Sequence, residues 1–150
     1  MFPRASHGFT LVELVMVLVI TGIMTAVVAP KLMDNSDIQA RGFADQVKVS
    51  LRYAQKTAIA QHRFVCVAFT ASGITLTINA AATCPGTALA SADGKLTSVV
   101  AAPYGITFSP IPIDFSFGAL GRPSFNVQQS ISVVGVASAI LIEAETGYVH

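Results

Sequence analysis

The sequence predicts an α+β fold: a long N-terminal helix, with a membrane half and an amphipathic half, packed on an antiparallel β-sheet domain. Three observations carry that expectation. Residues 9–30 are apolar except for one ionisable side chain, Glu13. From Ser36 to about Arg63, apolar residues recur at spacings of three and four, which lines one face of a helix. Beyond His62, short runs of β-branched and aromatic residues alternate with Gly- and Pro-bearing turns. The 150 residues suit one small domain plus an anchor, with no room for two cores. Charged residues make up 11%, well below the ~25% usual for a soluble domain, which implies a surface partly covered by neighbours.

The first element is the apolar run 9–30. As a helix at about 1.5 Å per residue it would span roughly 33 Å, enough to cross a bilayer. A carboxylate in hydrocarbon costs about 2.5–3.5 kcal/mol at a helix centre and less near an end, so Glu13 calls for a partner. A secretory signal peptide would use Arg4 as its basic flank and cleave after Val27-Val28-Ala29. Glu13 would then interrupt its apolar region, and Pro30 would follow the cut. A plain anchor explains the length but neither Gly8 nor Glu13. The positive-inside tendency keeps Arg4 and the leader, residues 1–8, in the cytoplasm, so the helix runs outward. Thr21, Gly22 and Thr25 are weak helix formers, and Pro30 lacks a backbone donor, so a kink is expected at Pro30.

Gly8-Phe9-Thr10-Leu11-Val12-Glu13-Leu14, preceded by a basic leader, resembles the class III signal of type IV prepilins and type II secretion pseudopilins. The resemblance implies cleavage between Gly8 and Phe9 by a prepilin peptidase/N-methyltransferase and N-methylation of Phe9. It implies that Glu13 pairs with the N-terminal amine of the adjacent subunit, and that the helix loosens at Pro30 on assembly. The partners implied are other pilins or pseudopilins and an inner-membrane assembly platform. The location implied is a single pass in the bacterial inner membrane with a periplasmic globular domain, and then the filament.

The amphipathic half, residues 31–62, has Ala40, Ala44, Val47, Leu51, Ala54 and Ala58 on one face with Phe43 alongside. Asp34, Asp37 and Asp45 lie near its start and Lys48, Arg52, Lys56 and Arg63 toward its end, as the helix dipole prefers. With Arg41, these basic residues share one sector, which reads either as a solvated face or as a contact stripe for acidic groups on neighbouring subunits.

Residues 63–150 read as the β-rich domain. Arg63–Thr70 and Ile74–Asn79 form a hairpin across Ser72-Gly73. Ala80–Lys95 reads as a long surface loop. Further strands are expected at Leu96–Ala101, Ile106–Ser109, Ile113–Phe117, Ile131–Val136 and Ala139–Ala144. Cys66 and Cys84 either form a disulfide, if the domain lies outside the cytoplasm, or are a small core residue and a loop thiol.

No enzyme site assembles. The histidines are His7, His62 and His150, and the carboxylates after residue 100 are Asp114, Glu143 and Glu145, too sparse for a catalytic pair. No metal or cofactor motif appears. Instead Ile113-Asp114-Phe115-Ser116-Phe117-Gly118-Ala119-Leu120-Gly121-Arg122-Pro123 and the ending Glu145-Thr146-Gly147-Tyr148-Val149 resemble GspH/FimT-type minor pilins. They are most similar to the minor prepilin of MSHA (mannose-sensitive haemagglutinin) pilus systems. That likeness implies a minor pilin acting in pilus assembly. The alternatives are a GspH-like pseudopilin of type II secretion and a FimT-like DNA-uptake pilin. Phosphate recognition needs Lys and Arg, and Arg122 is the one Lys or Arg from Tyr104 to His150, so nucleic acid is disfavoured as a partner.

Overall fold

The computed structural model describes residues 9–33 and 35–150, without the side chains of residues 27–33. It has the expected α+β architecture, an N-terminal helical part and an antiparallel sheet domain. The helical part is two elements, α1 (Leu11–Met33) and α2 (Ser36–Gln61). The chain falls into two units, one ending at Asn35 and one spanning Ser36–His150.

In the larger unit the apolar stripe read from the sequence is the buried face of α2: Ala40, Phe43, Ala44, Val47, Leu51, Ala54 and Ala58. Alanines at four of these seven positions let the helix lie close to the sheet, while Phe43 and Leu51 fill the space between. Helix α2 ends where His62 takes φ 49°. His62 N–H donates to Ile59 O and Arg63 N–H to Ala58 O, the paired bonds of a Schellman cap. Glycine normally occupies that left-handed position.

β1 (Phe64–Thr70) and β2 (Gly73–Asn79) pair antiparallel, with a two-residue loop at Ala71-Ser72. The turn thus sits one residue earlier than Ser72-Gly73. Gly73 is instead the first residue of β2, where an added Cβ would lie 2.7 Å from Val100 O, so its lack of a side chain admits the next strand. β3 (Thr87–Ala88) and β4 (Ser98–Ala101) both pair with β2, and β5 (Phe115–Phe117) pairs with β1. The sheet face toward α2 carries Val65, Val67, Ile74, Leu76, Ile78, Phe115 and Phe117, all buried. Phe43, Phe69, Phe108, Phe115, Phe117 and Phe125 form a chain of ring contacts with centroids 5.1–6.1 Å apart. β6 (Gln129–Ile131) and β7 (Ile140–Ile142) form a separate ribbon that adds Ile131, Ile140 and Ile142 to the same core.

Three expectations need correcting. Ile106–Ser109 is not a strand but a single bridge, Phe108 to Val133. The strand expected at Ile131–Val136 lies earlier, at Gln129–Ile131, because Gly135 turns the chain at φ +85°. The region Ala80–Lys95 is not all surface loop: it contains β3 and buries Leu89, whose N–H donates to Leu76 O.

Leu51 is fully buried, so Leu51→Ala should cost about 2–5 kcal/mol in unfolding free energy, measured by urea denaturation of a chain starting at Ser36. In the same assay His62→Gly should add about 0.5–1 kcal/mol, since it relieves the left-handed conformation of the cap.

Candidate functional site

The first candidate site is the start of α1. Thr10 precedes the helix, and its Oγ1 accepts the Glu13 N–H at 3.2 Å, while Thr10 O accepts from Leu14 N–H. Thr-x-x-Glu is a capping-box spacing, so Glu13 also places a carboxylate in the first turn, where the helix dipole favours it. The sequence reading missed this local role, although the Thr10–Glu13 spacing carries the signal. Glu13 has no ion pair among the described residues. Phe9, Leu11 and Val12 are 77%, 79% and 66% exposed, and apolar side chains cover every face of α1 through Ala26. Thr21 Oγ1 donates to Val17 O, and Thr25 Oγ1 to Thr21 O, so both hydroxyls are satisfied within the helix. Among the described residues, no helix is long and apolar enough to cross a membrane. Gly8 and the rest of the leader lie outside the described residues, and the cleavage point falls at their edge, while at Pro30, where a kink was expected, helix α1 continues to Met33.

The second candidate is the C-terminal segment, which carries Gly121-Arg122-Pro123 and Thr146-Gly147-Tyr148-Val149. Structurally these are two turns held on one side chain of α2. Gln55 Nε2 donates to Gly121 O at 3.2 Å and to Thr146 O at 2.8 Å. Gly121 and Gly147 take φ +79° and +68°. A Cβ on Gly147 would lie 2.1 Å from Gly121 O, and one on Gly121 would lie 2.7 Å from Ile59 Cδ1. Arg122 and Glu145 form an ion pair between the same two turns. The chain end then returns along β7, with Leu141 and His150 exchanging backbone bonds, and Arg52 Nε donates to Val149 O at 3.0 Å. One cation of the α2 stripe therefore serves the fold.

Asp114 Oδ1 accepts the Phe69 N–H at 2.7 Å, which extends the β1–β5 pairing by a side chain. Glu143 accepts from Gln128 Nε2 at 3.1 Å and lies 3.2 Å from His150 Nε2. These carboxylates are thus tied into the fold individually. Among the described residues, no three His, Cys, Asp or Glu side chains gather as a metal site would need.

Cys66 and Cys84 are joined in a disulfide that ties β1 to the 80–86 loop. Cys66 and Ser116 lie on the sheet face away from α2, where a shallow cavity of about 680 Å³ is also lined by Thr75, Thr77, Pro85 and Asp114. Closing an 18-residue loop contributes about 3 kcal/mol.

Residues 3–29 match a family model described as the prokaryotic N-terminal methylation motif, a type IV pilin-like prepilin signal. The match spans under a fifth of the chain. No curated protein and no solved structure matched.

Gly147→Ala should cost at least about 2 kcal/mol, because strain at positive φ adds to a backbone clash. Gly94→Ala, at φ +87° with open space around it, should cost about 1 kcal/mol. Thermal unfolding of the two variants side by side checks the difference. Cys66→Ser with Cys84→Ser should lower stability by about 2–4 kcal/mol in the same measurement.

Proposed function

We propose that this chain is a minor pilin or pseudopilin, cut between Gly8 and Phe9 by prepilin peptidase, methylated on Phe9, and built into a type IV pilus-like filament. The observation that carries the reading is the methylation motif over residues 3–29, with Glu13 in the first turn of a helix that is apolar on every side. In this reading residues 9–30 anchor the chain in the inner membrane before assembly, as the length of the apolar run supports. The Cys66–Cys84 disulfide supports an oxidising compartment for the globular part, which in a bacterium is the periplasm. Residues 31–62 and 63–150 then act as the scaffold and the partner-selecting domain.

Glu13 serves two roles in the proposal. Its backbone and carboxylate start the helix, and in the filament the carboxylate meets the methylated amine of the next subunit's Phe9. In hydrocarbon an uncompensated charge is costly, so the pair fixes the axial register between subunits. The likeness of the Gly121-Arg122-Pro123 and Glu145–Val149 segments to MSHA-type minor pilins favours that filament over type II secretion. Those residues build a fold-stabilising clamp, so they also suit a GspH-like pseudopilin, the second reading.

Mass spectrometry of the membrane-extracted protein should find an N-terminus at methylated Phe9. A start after Ala29 would overturn the proposal. Glu13→Val should leave cleavage intact while lowering recovery of the protein in sheared filaments at least about tenfold, the effect expected when a buried charge pair loses one member. Gly8→Asp should leave an uncut precursor on a gel.

A further inference from the structure

We propose that β4 pairs edge to edge with β4 of a second copy of this chain, about a twofold axis at Val100. The two sheets then become one, with both α2 helices on the same face. The inference concerns the sheet domain alone and is independent of the filament reading.

The backbone register singles out this edge. Among the described residues β4 pairs only with β2, with Ile74 opposite Val100 and Leu76 opposite Ser98. Ala102 N–H donates to Ser72 O at 2.7 Å, and antiparallel bonding alternates along a strand, so Val100 and Ser98 also turn their backbone groups inward. Ser98 N–H accordingly bonds Leu89 O on that side. Val99 and Ala101 therefore direct N–H and C=O outward, and among the described residues no group meets them. Edge strands are usually blunted by proline, charge, a bulge or shortness, and β4 is short, at four residues. Ser98-Val99-Val100-Ala101 has neither proline nor charge, and its register against β2 is unbroken.

The occupant follows from self-complementarity. The two outward-facing residues are two positions apart, so an antiparallel copy centred on Val100 sets Val99 opposite the partner's Ala101 and Ala101 opposite the partner's Val99. That register uses every outward group of both strands in four N–H···O bonds. It also covers the groove of about 560 Å³ between β4 and α2, whose walls include Val49, 62% exposed, and Tyr53. Asp45 lines one end of the groove, and Lys95, paired with Asp93 at 2.8 Å, lines the other. Helix α2 runs against β4: Tyr53 OH donates to Ala90 O on the side where β4 begins, and Phe43 packs on Phe108, which is bonded to Ala71 near its end. A twofold axis therefore brings Asp45 of each copy toward the partner's Lys95–Asp93 pair.

The test uses the full chain in the membranes of cells that produce it. Val100→Cys places two thiols at a non-hydrogen-bonded antiparallel pair, where Cα atoms lie about 4.5 Å apart, within disulfide reach. Mild oxidation should give a reducible species of twice the mass, and Ala68→Cys, exposed on β1 away from the edge, should not. Adding Val99→Pro or Ala101→Pro removes an outward donor without touching the β2 ladder and should lower the yield by roughly tenfold. Three results would overturn the proposal: no crosslink from Val100→Cys, a crosslink unchanged by both prolines, or a crosslink to a chain of different mass. The last would assign the edge to a different protein.

Discussion

The domain depends on the packing of α2. Its buried stripe, Ala40 to Ala58, is the surface on which two otherwise separate pieces of β structure come together, the main sheet and the β6–β7 ribbon. Neither piece would be stable alone: the ribbon has three residues per strand, and the sheet has one apolar face that must be covered. The polar groups of α2 complete the attachment where apolar contact runs out. Gln55 takes up the carbonyls of both glycine turns, and Arg52 takes up Val149 O. The C-terminal glycines are required on two counts: both take positive φ, and the chain comes within van der Waals distance of itself at that anchor.

The N-terminal unit follows the opposite rule. Its side chains through Ala26 are apolar and exposed, and its polar atoms are satisfied by its own backbone: Thr10 caps, Thr21 and Thr25 bond carbonyls of the preceding turn. Such a helix satisfies its polar atoms by itself and leaves its apolar side chains exposed, so it is suited to a medium, or to neighbours, that supply apolar contact. Glu13 is the exception, a carboxylate with no ion pair among the described residues.

Periodic features were legible from the sequence. The α2 stripe, the β1–β2 hairpin and the alternation in β2 follow from spacing, because one buried face imposes one period. The errors lie where tertiary contacts decide. Gly73 reads as a turn residue by composition, yet it sits in a strand because β4 passes close to it. Ile131–Val136 has β-type residues throughout, but Gly135 at positive φ ends the run, and nothing local says which end of the segment will pair. Leu89 looked like part of a loop, and it is buried because β3 and β4 share one edge of β2. At the candidate site, Glu13 stood out at once as a lone acid. The role of Thr10 as its helix cap required reading the spacing as local chemistry rather than as part of a longer motif.

The two surfaces left unsatisfied differ in kind, and that difference bears on how the protein meets others. On α1 the deficit is apolar and has no direction, so any apolar environment relieves it and specificity must come from the single charge. On β4 the deficit is a row of oriented backbone groups, which only an extended strand in one register relieves. The first suits packing among many similar helices, with Glu13 as the one charged point along the apolar surface. The second suits one defined neighbour, because a shift of one residue would turn every donor and acceptor away from its partner. A chain carrying both can be held loosely by its helix while its sheet edge selects what lies beside it.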